Sequence, residues 1–131
     1  MKDYYIFPAV FDFADDGISI EFPDLPGCLP CAQTQDEALK NAKEALGLHL
    51  YGMEQDGDDI PEASRLQDIH LEKNQTLVLV EAWMPLVRDR MNNRSVSRTV
   101  TIPAWLNTAA VGAGVNFSQT LQEALKAKLA I

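Results

Sequence analysis

"ISIEFPDLPGCLPCAQTQDEALKNAKEAL", residues 18 to 46, changes its apolar period halfway along, and that change decides the fold. Ile18, Ile20 and Phe22 alternate with polar residues, the period-two pattern of a half-buried strand. From Thr34 the spacing becomes three and four: Ala38, Leu39, Ala42, Leu46, His49, Leu50 and Met53 form one apolar stripe of a helix. Thr34 followed by Glu37 has capping-box spacing, in which the hydroxyl and the carboxylate each satisfy a free backbone N–H. Acids around Gly57, from Asp56 to Asp59, end the helix. Between strand and helix lie the turn "PDLPG" and an extended piece, "CLPCAQ", where Pro30 argues for an edge strand or no regular strand.

Outward from this stretch, "YYIFPAVFDF" (4 to 13) is aromatic and β-branched and ends in the turn residues Asp15, Asp16 and Gly17, so it pairs with 18–23 as a hairpin. After a polar segment, "TLVLVEAW" (76 to 83) is nearly continuously apolar and is expected to be a strand covered on both faces. The order β-β-β-α-β predicts a small α+β domain, an antiparallel sheet packed with one helix. From about residue 85, "PLVRDRMNNR" suits a linker.

The chain has 131 residues, 47% of them hydrophobic and 23% charged, a globular composition with room for a core. No apolar run reaches the roughly 18 residues of a membrane span, and Asp3 and Asp12 spoil a secretory signal, so a soluble cytoplasmic protein with no membrane partner is expected. The net charge of −8 hides an asymmetry. Residues 1–90 hold seven Lys and Arg against eighteen Asp and Glu, whereas residues 91–131 hold four against one. An acidic body with a basic tail points to nucleic acid at the basic end and a basic partner for the body.

In the tail, "SVSRTVTIP" places Val96, Val100 and Ile102 on one parity and Ser97, Thr99 and Thr101 on the other, a strand with an apolar and a hydroxyl face. Pro103 opens a helix, "PAWLNTAAVGAG", with Gly114 as its stop and Trp105 and Leu106 as core. Asn116 caps a second helix with Gln119 at the capping-box position and Phe117, Leu121, Leu125 and Leu129 every four residues. One strand and two helices cannot form a core alone, because domains below about 40 residues usually need outside help. Two copies solve this by pairing their strands into an antiparallel ribbon, which has a width that fits the DNA major groove.

The tail "SVSRTVTIPAWLNTAAVGAGVNFSQTLQEALKAKL" resembles a ribbon-helix-helix DNA-binding module. The body, through "ISIEFPDLPGCLPCAQTQDEALKNAKEAL" together with the ending "VNFSQTLQEALKAKL", resembles the HicB family of type II antitoxins. That resemblance implies a partial RNase H-like body over 1–90 that binds and masks a small basic HicA-type toxin, an mRNA-cleaving ribonuclease. It also implies a dimerising β-α-α module over 91–131 that binds the operator DNA of its own operon, as a homodimer or a higher oligomer. The family's ribbon positions fall on Ser97, Thr99 and Thr101, which would face the groove. Arg94 and Arg98 are expected on phosphates, as are Asn116, Phe117 and Ser118 at the start of the last helix, where free N–H groups and the helix dipole favour an anion. Asp15, Asp16, Glu21 and Asp24 are candidates to steer the toxin.

Two other readings stay open: a stand-alone ribbon-helix-helix regulator whose body senses a ligand or protein, and a metal-dependent RNase H-like nuclease. The nuclease needs several converging carboxylates, for which Asp12 and Glu81 are the strand-borne candidates. His49 and His70 stand in a helix stripe and a polar loop, so no enzyme, catalytic residue, metal or cofactor is expected. Cys28 and Cys31 have C-x-x-C spacing but too few companions for zinc and no helix opening beside them for redox chemistry, so they are read as free thiols.

Overall fold

A computed structural model describes residues 1–131, which form two compact units, Met1–Arg94 and Ser95–Ile131. In the first unit, β1 (Tyr4–Ala14) and β2 (Gly17–Glu21) make the expected hairpin, and β3 (Cys31–Ala32) adds a two-residue edge. Helix α1 (Gln35–Asp56) follows, then a single 3-10 turn at Leu66–Asp68 and β4 (Gln75–Trp83). The sheet is antiparallel throughout, in the order β3-β2-β1-β4. Asp15 and Asp16 form the hairpin tip, where Gly17 closes the turn at φ +143° and a Cβ would stand 2.9 Å from Ala32 O.

The core lies between the sheet and α1. Phe7, Ala9 and Phe11 from β1, Ile18 and Ile20 from β2, and Val80 and Ala82 from β4 pack against Ala38, Ala42, Leu46 and Leu50 of α1. The helix begins as its sequence dictates: Thr34 Oγ1 accepts from Glu37 N at 3.2 Å, and Glu37 Oε2 accepts from Gln33 N at 3.2 Å. It ends at Gly57 in the left-handed region. The buried stripe is narrower than the sequence suggests. Leu39 is 47% exposed and His49 half-buried, because a line of i+4 steps from Ala38 leaves both off its axis.

The "FPDLPGC" stretch folds into a closed loop: Leu25 N donates to Phe22 O at 2.9 Å and Cys28 N donates to Leu25 O at 3.1 Å. Phe22, Leu25 and Cys28 are thereby buried in the core.

In the first unit, two expectations need correction. Residues 85–92 are no linker: α2 runs Met84–Asn92, with Pro85 in the first turn, where a missing N–H costs nothing, and a buried Met84 at its start. Nor is β4 covered on both faces. Val80 and Ala82 are buried while Leu79 and Trp83 are 55% and 57% exposed, so its long apolar run is an alternating strand whose outer face is also apolar.

The second unit contains α3 (Ala104–Gly112) and α4 (Phe117–Leu129), preceded by an extended segment that forms no strand. The expected strand 96–102 is therefore absent from the single chain, where the segment joins no ladder. No residue of this unit is buried, and Trp105, expected as core, is 72% exposed.

Candidate functional site

The candidate interface residues divide between the two units. Ser97, Thr99 and Thr101 sit in the extended segment and are all exposed. Arg98 is exposed and has no ion-pair partner, whereas Arg94, in the first unit, stands 3.8 Å from Asp89 Oδ1. Asn116 caps α4, its Oδ1 accepting from Gln119 N at 3.0 Å. Thr120 N donates to Asn116 O at 3.0 Å, so the first turn leaves the N–H groups of Phe117 and Ser118 free. The α4 end thus has two open donors beside a helix dipole, with Lys126 and Lys128 in its last turn. Gln119 does not complete a capping box; its Nε2 donates to Glu123 at 3.3 Å instead.

The apolar residues of the second unit find no core within that unit. Val96, Val100 and Ile102 are 83%, 56% and 38% exposed, and Phe117, Leu121, Leu125 and Leu129 are exposed along α4. So many exposed apolar side chains on so small a unit mark an interaction surface.

In the first unit, Asp15 and Asp16 project at the hairpin tip and Glu21 is exposed at the end of β2. Asp24 differs from them. Its carboxylate accepts from Ser64 N at 2.9 Å and from the Ser64 hydroxyl, fastening the segment after α1 to the "PDLPG" turn. Sequence alone gave no signal for a partner forty residues away.

The strand-borne acids do not converge. Asp12 Oδ2 accepts from Gln75 Nε2 at 3.2 Å, and Glu81 accepts from the Tyr4 hydroxyl. In the β1–β4 register Asp12 lies opposite Gln75, six residues from Glu81, which is about 20 Å along a strand. No three His, Cys, Asp or Glu side chains come together in a way that could hold a metal ion. His49 lines a shallow cavity of about 510 Å³ with Asp24, Leu25, Met53 and Asp58, and His70 pairs with Glu72 in an exposed loop. Cys28 is buried and Cys31 exposed, both free; burial pushes the Cys28 thiol up to about 11, the opposite of what a nucleophile needs. No helix is long and apolar enough to cross a membrane.

Comparison with known proteins agrees with this picture. Residues 7–126 match the family model described as HicB-like antitoxin of bacterial toxin-antitoxin system. A chain of a toxin-antitoxin complex from Streptococcus pneumoniae superposes with a TM-score of 0.59 at 22% identity, covering 95% of this chain and 99% of that one. A HicA3 and HicB3 toxin-antitoxin complex contains a chain that is 26% identical, with a TM-score of 0.50, covering 60% of this chain and 98% of its own. An uncharacterised 14.9 kDa protein of Haemophilus phage HP1 is 25% identical over 101 residues, 77% of this chain and 75% of that protein.

Proposed function

This chain belongs to the family of HicB-like antitoxins of bacterial toxin-antitoxin systems, and from that premise we propose that its first unit neutralises a small, basic, mRNA-cleaving HicA-type toxin by covering the toxin's active site. The family match over residues 7–126 carries this reading. Occlusion asks for no chemistry from the antitoxin, only a rigid surface of suitable charge. The first unit has eight Lys and Arg against eighteen Asp and Glu, and Asp15, Asp16 and Glu21 leave their carboxylates exposed to steer a basic partner. The HicA3 and HicB3 toxin-antitoxin complex, with a chain 26% identical to this one, supports the pairing.

The second unit is the dimerising, DNA-binding module. Two copies of residues 96–102 pair as an antiparallel ribbon, and the exposed apolar positions of that segment, α3 and α4 become the core that one chain lacks. Ser97, Thr99 and Thr101 then lie together on the opposite face, toward the major groove. Arg98 and the free N–H groups of Phe117 and Ser118 hold backbone phosphates, with Asn116 fixing the helix start. Arg94 joins them only by leaving Asp89. The assembly works in the bacterial cytoplasm, where both operator and mRNA are found.

Co-expression of the protein with the small basic ribonuclease encoded beside it tests the first half. Relief of growth arrest and co-purification are expected, and continued arrest without complex formation refutes it. Operator binding tests the second half. A fragment lacking residues 91–131 is expected to lose all mobility shift of the promoter DNA upstream of its gene, and retention of the shift refutes the tail assignment.

A further inference from the structure

The hydrogen bond from Phe13 N to Asn74 O, 3.0 Å, sets the phase of the β1–β4 ladder. Phe13 lies one step beyond the Asp12–Gln75 pair, directly opposite Asn74. In an antiparallel pair the hydrogen-bonded positions recur every two residues, so Thr76, Val78, Val80 and Ala82 bond inward to β1. Leu77, Leu79 and Glu81 therefore turn their N–H and C=O groups toward the free edge, and Trp83 its N–H, since β4 ends the sheet order and the Trp83 carbonyl accepts the first bond of α2. The opposite edge, β3, is two residues long; β4 is nine.

Edge strands are normally blunted by brevity, proline, bulges or charge. Glu81 is the only charge on β4. The side chains of the same outward residues lie on the face away from α1, where Leu79 and Trp83 are 55% and 57% exposed. On β1, Ile6 stands opposite Glu81 and Tyr4 opposite Trp83, and these are 45% and 44% exposed. The edge is thus flanked by a contiguous apolar patch with one carboxylate in it, the pattern of a protein-docking surface.

We infer that the β4 edge, with Ile6, Leu79 and Trp83 beside it, is where a basic protein partner docks by adding a strand to the sheet. The inference rests on the antitoxin reading, which supplies the toxin as that partner. Charge selects this occupant over a second copy. The four strands contain no Lys or Arg, the unit carries a net −10 from eight basic and eighteen acidic residues, and a second copy brings the same charge to the same edge. The nearest cation, Lys43 on α1, reaches Glu81 Oε1 at only 4.0 Å with both side chains half exposed, so an incoming cation can replace it. Main-chain bonds along the edge supply affinity, and the apolar patch fixes the register.

Calorimetric titration of the full-length protein with the adjacent-gene toxin provides the test. Leu79→Lys is expected to weaken binding by about tenfold or more, because it puts an unpaired charge into an apolar contact. Glu62→Lys, the same sign of change in the exposed loop, is expected to alter affinity by no more than about twofold. Ile6→Lys on the neighbouring strand serves as the second variant should Leu79→Lys fail to fold, and thermal melts with operator binding confirm the integrity of each. Wild-type affinity in folded Leu79→Lys and Ile6→Lys overturns the docking site while leaving the antitoxin reading intact. Failure of the wild type to bind overturns both. Halved particle mass in light scattering with unchanged toxin affinity assigns the edge to a second copy and overturns the inference.

Discussion

Arg88 and Glu54 meet as a fork: Nη2 donates to Oε2 at 2.6 Å and Nε to Oε1 at 3.2 Å. The same guanidinium donates to Asp3 Oδ1 and to Lys2 O, both at 2.7 Å, so one side chain ties α2 to the end of α1 and to the N-terminus. Glu54 is only 4% exposed at its side chain, and Arg88 is held protonated above its ordinary range by Glu54 first and Asp3 second. Arg88→Leu leaves the Glu54 carboxylate buried without its donors. The first unit is expected to lose about 1–3 kcal/mol of stability, read by chemical denaturation of the full chain. Arg94→Leu, whose 3.8 Å contact with Asp89 is exposed, is expected to change it by less than about 0.5 kcal/mol.

Gly47 is the contact point between α1 and α2. A Cβ built there stands 2.9 Å from Val87 Cγ2, so the close approach of the two helices needs a residue without a side chain. Gly47→Leu is expected to displace α2 and cost about 1–3 kcal/mol by overpacking. Adding Val87→Ala is expected to restore part of that loss, and a double-mutant cycle on the thermal unfolding midpoint checks the coupling.

The two cysteines should separate cleanly by reactivity. At pH 8, iodoacetamide is expected to modify exposed Cys31 in the folded protein and to spare Cys28, as read by mass spectrometry of the peptides. Burial raises the Cys28 thiol from 9.0 to about 11, so the folded state holds that proton more tightly than the unfolded chain. The stabilisation is complete below pH 9 and fades as pH rises toward 11. The stability difference between wild type and Cys28→Ala is therefore expected to shrink across that window.

In the tail, Leu121→Asp is expected to abolish dimerisation, seen as a halved mass in light scattering, because a carboxylate enters the shared core. Operator binding is expected to fall with it. Thr99→Ala leaves the dimer intact and is expected to relax sequence preference by about 1–3 kcal/mol at one or two base positions in a mobility-shift series. Arg98→Ala is expected to weaken binding to all sequences alike and to lower the salt dependence of the affinity.

The parts of the fold written locally in the sequence are the parts that sequence reasoning recovers. Thr34 and Glu37 define the start of α1, Gly57 its end, and Asp15–Asp16–Gly17 the hairpin turn, each within a few residues. What depends on distant or absent partners is not legible. Pro85 looks like a breaker until Met84 and Arg88 are seen to dock α2 on the body. The apolar run of β4 looks doubly covered because Leu79 and Trp83 are as apolar as the buried Val80 and Ala82. Residues 96–102 alternate as a strand does, yet they join no ladder in the single chain. Asp24 looks like a free surface charge because Ser64 lies far along the chain.

The most direct measurement is cleavage of an RNA substrate by the adjacent-gene toxin while the purified full-length protein is titrated in. A stoichiometric antitoxin brings cleavage to zero near one equivalent of chain, with no dependence on added metal or operator DNA. Undiminished cleavage at a tenfold excess of folded, dimeric protein, about the point at which weak association would already show, contradicts neutralisation by occlusion.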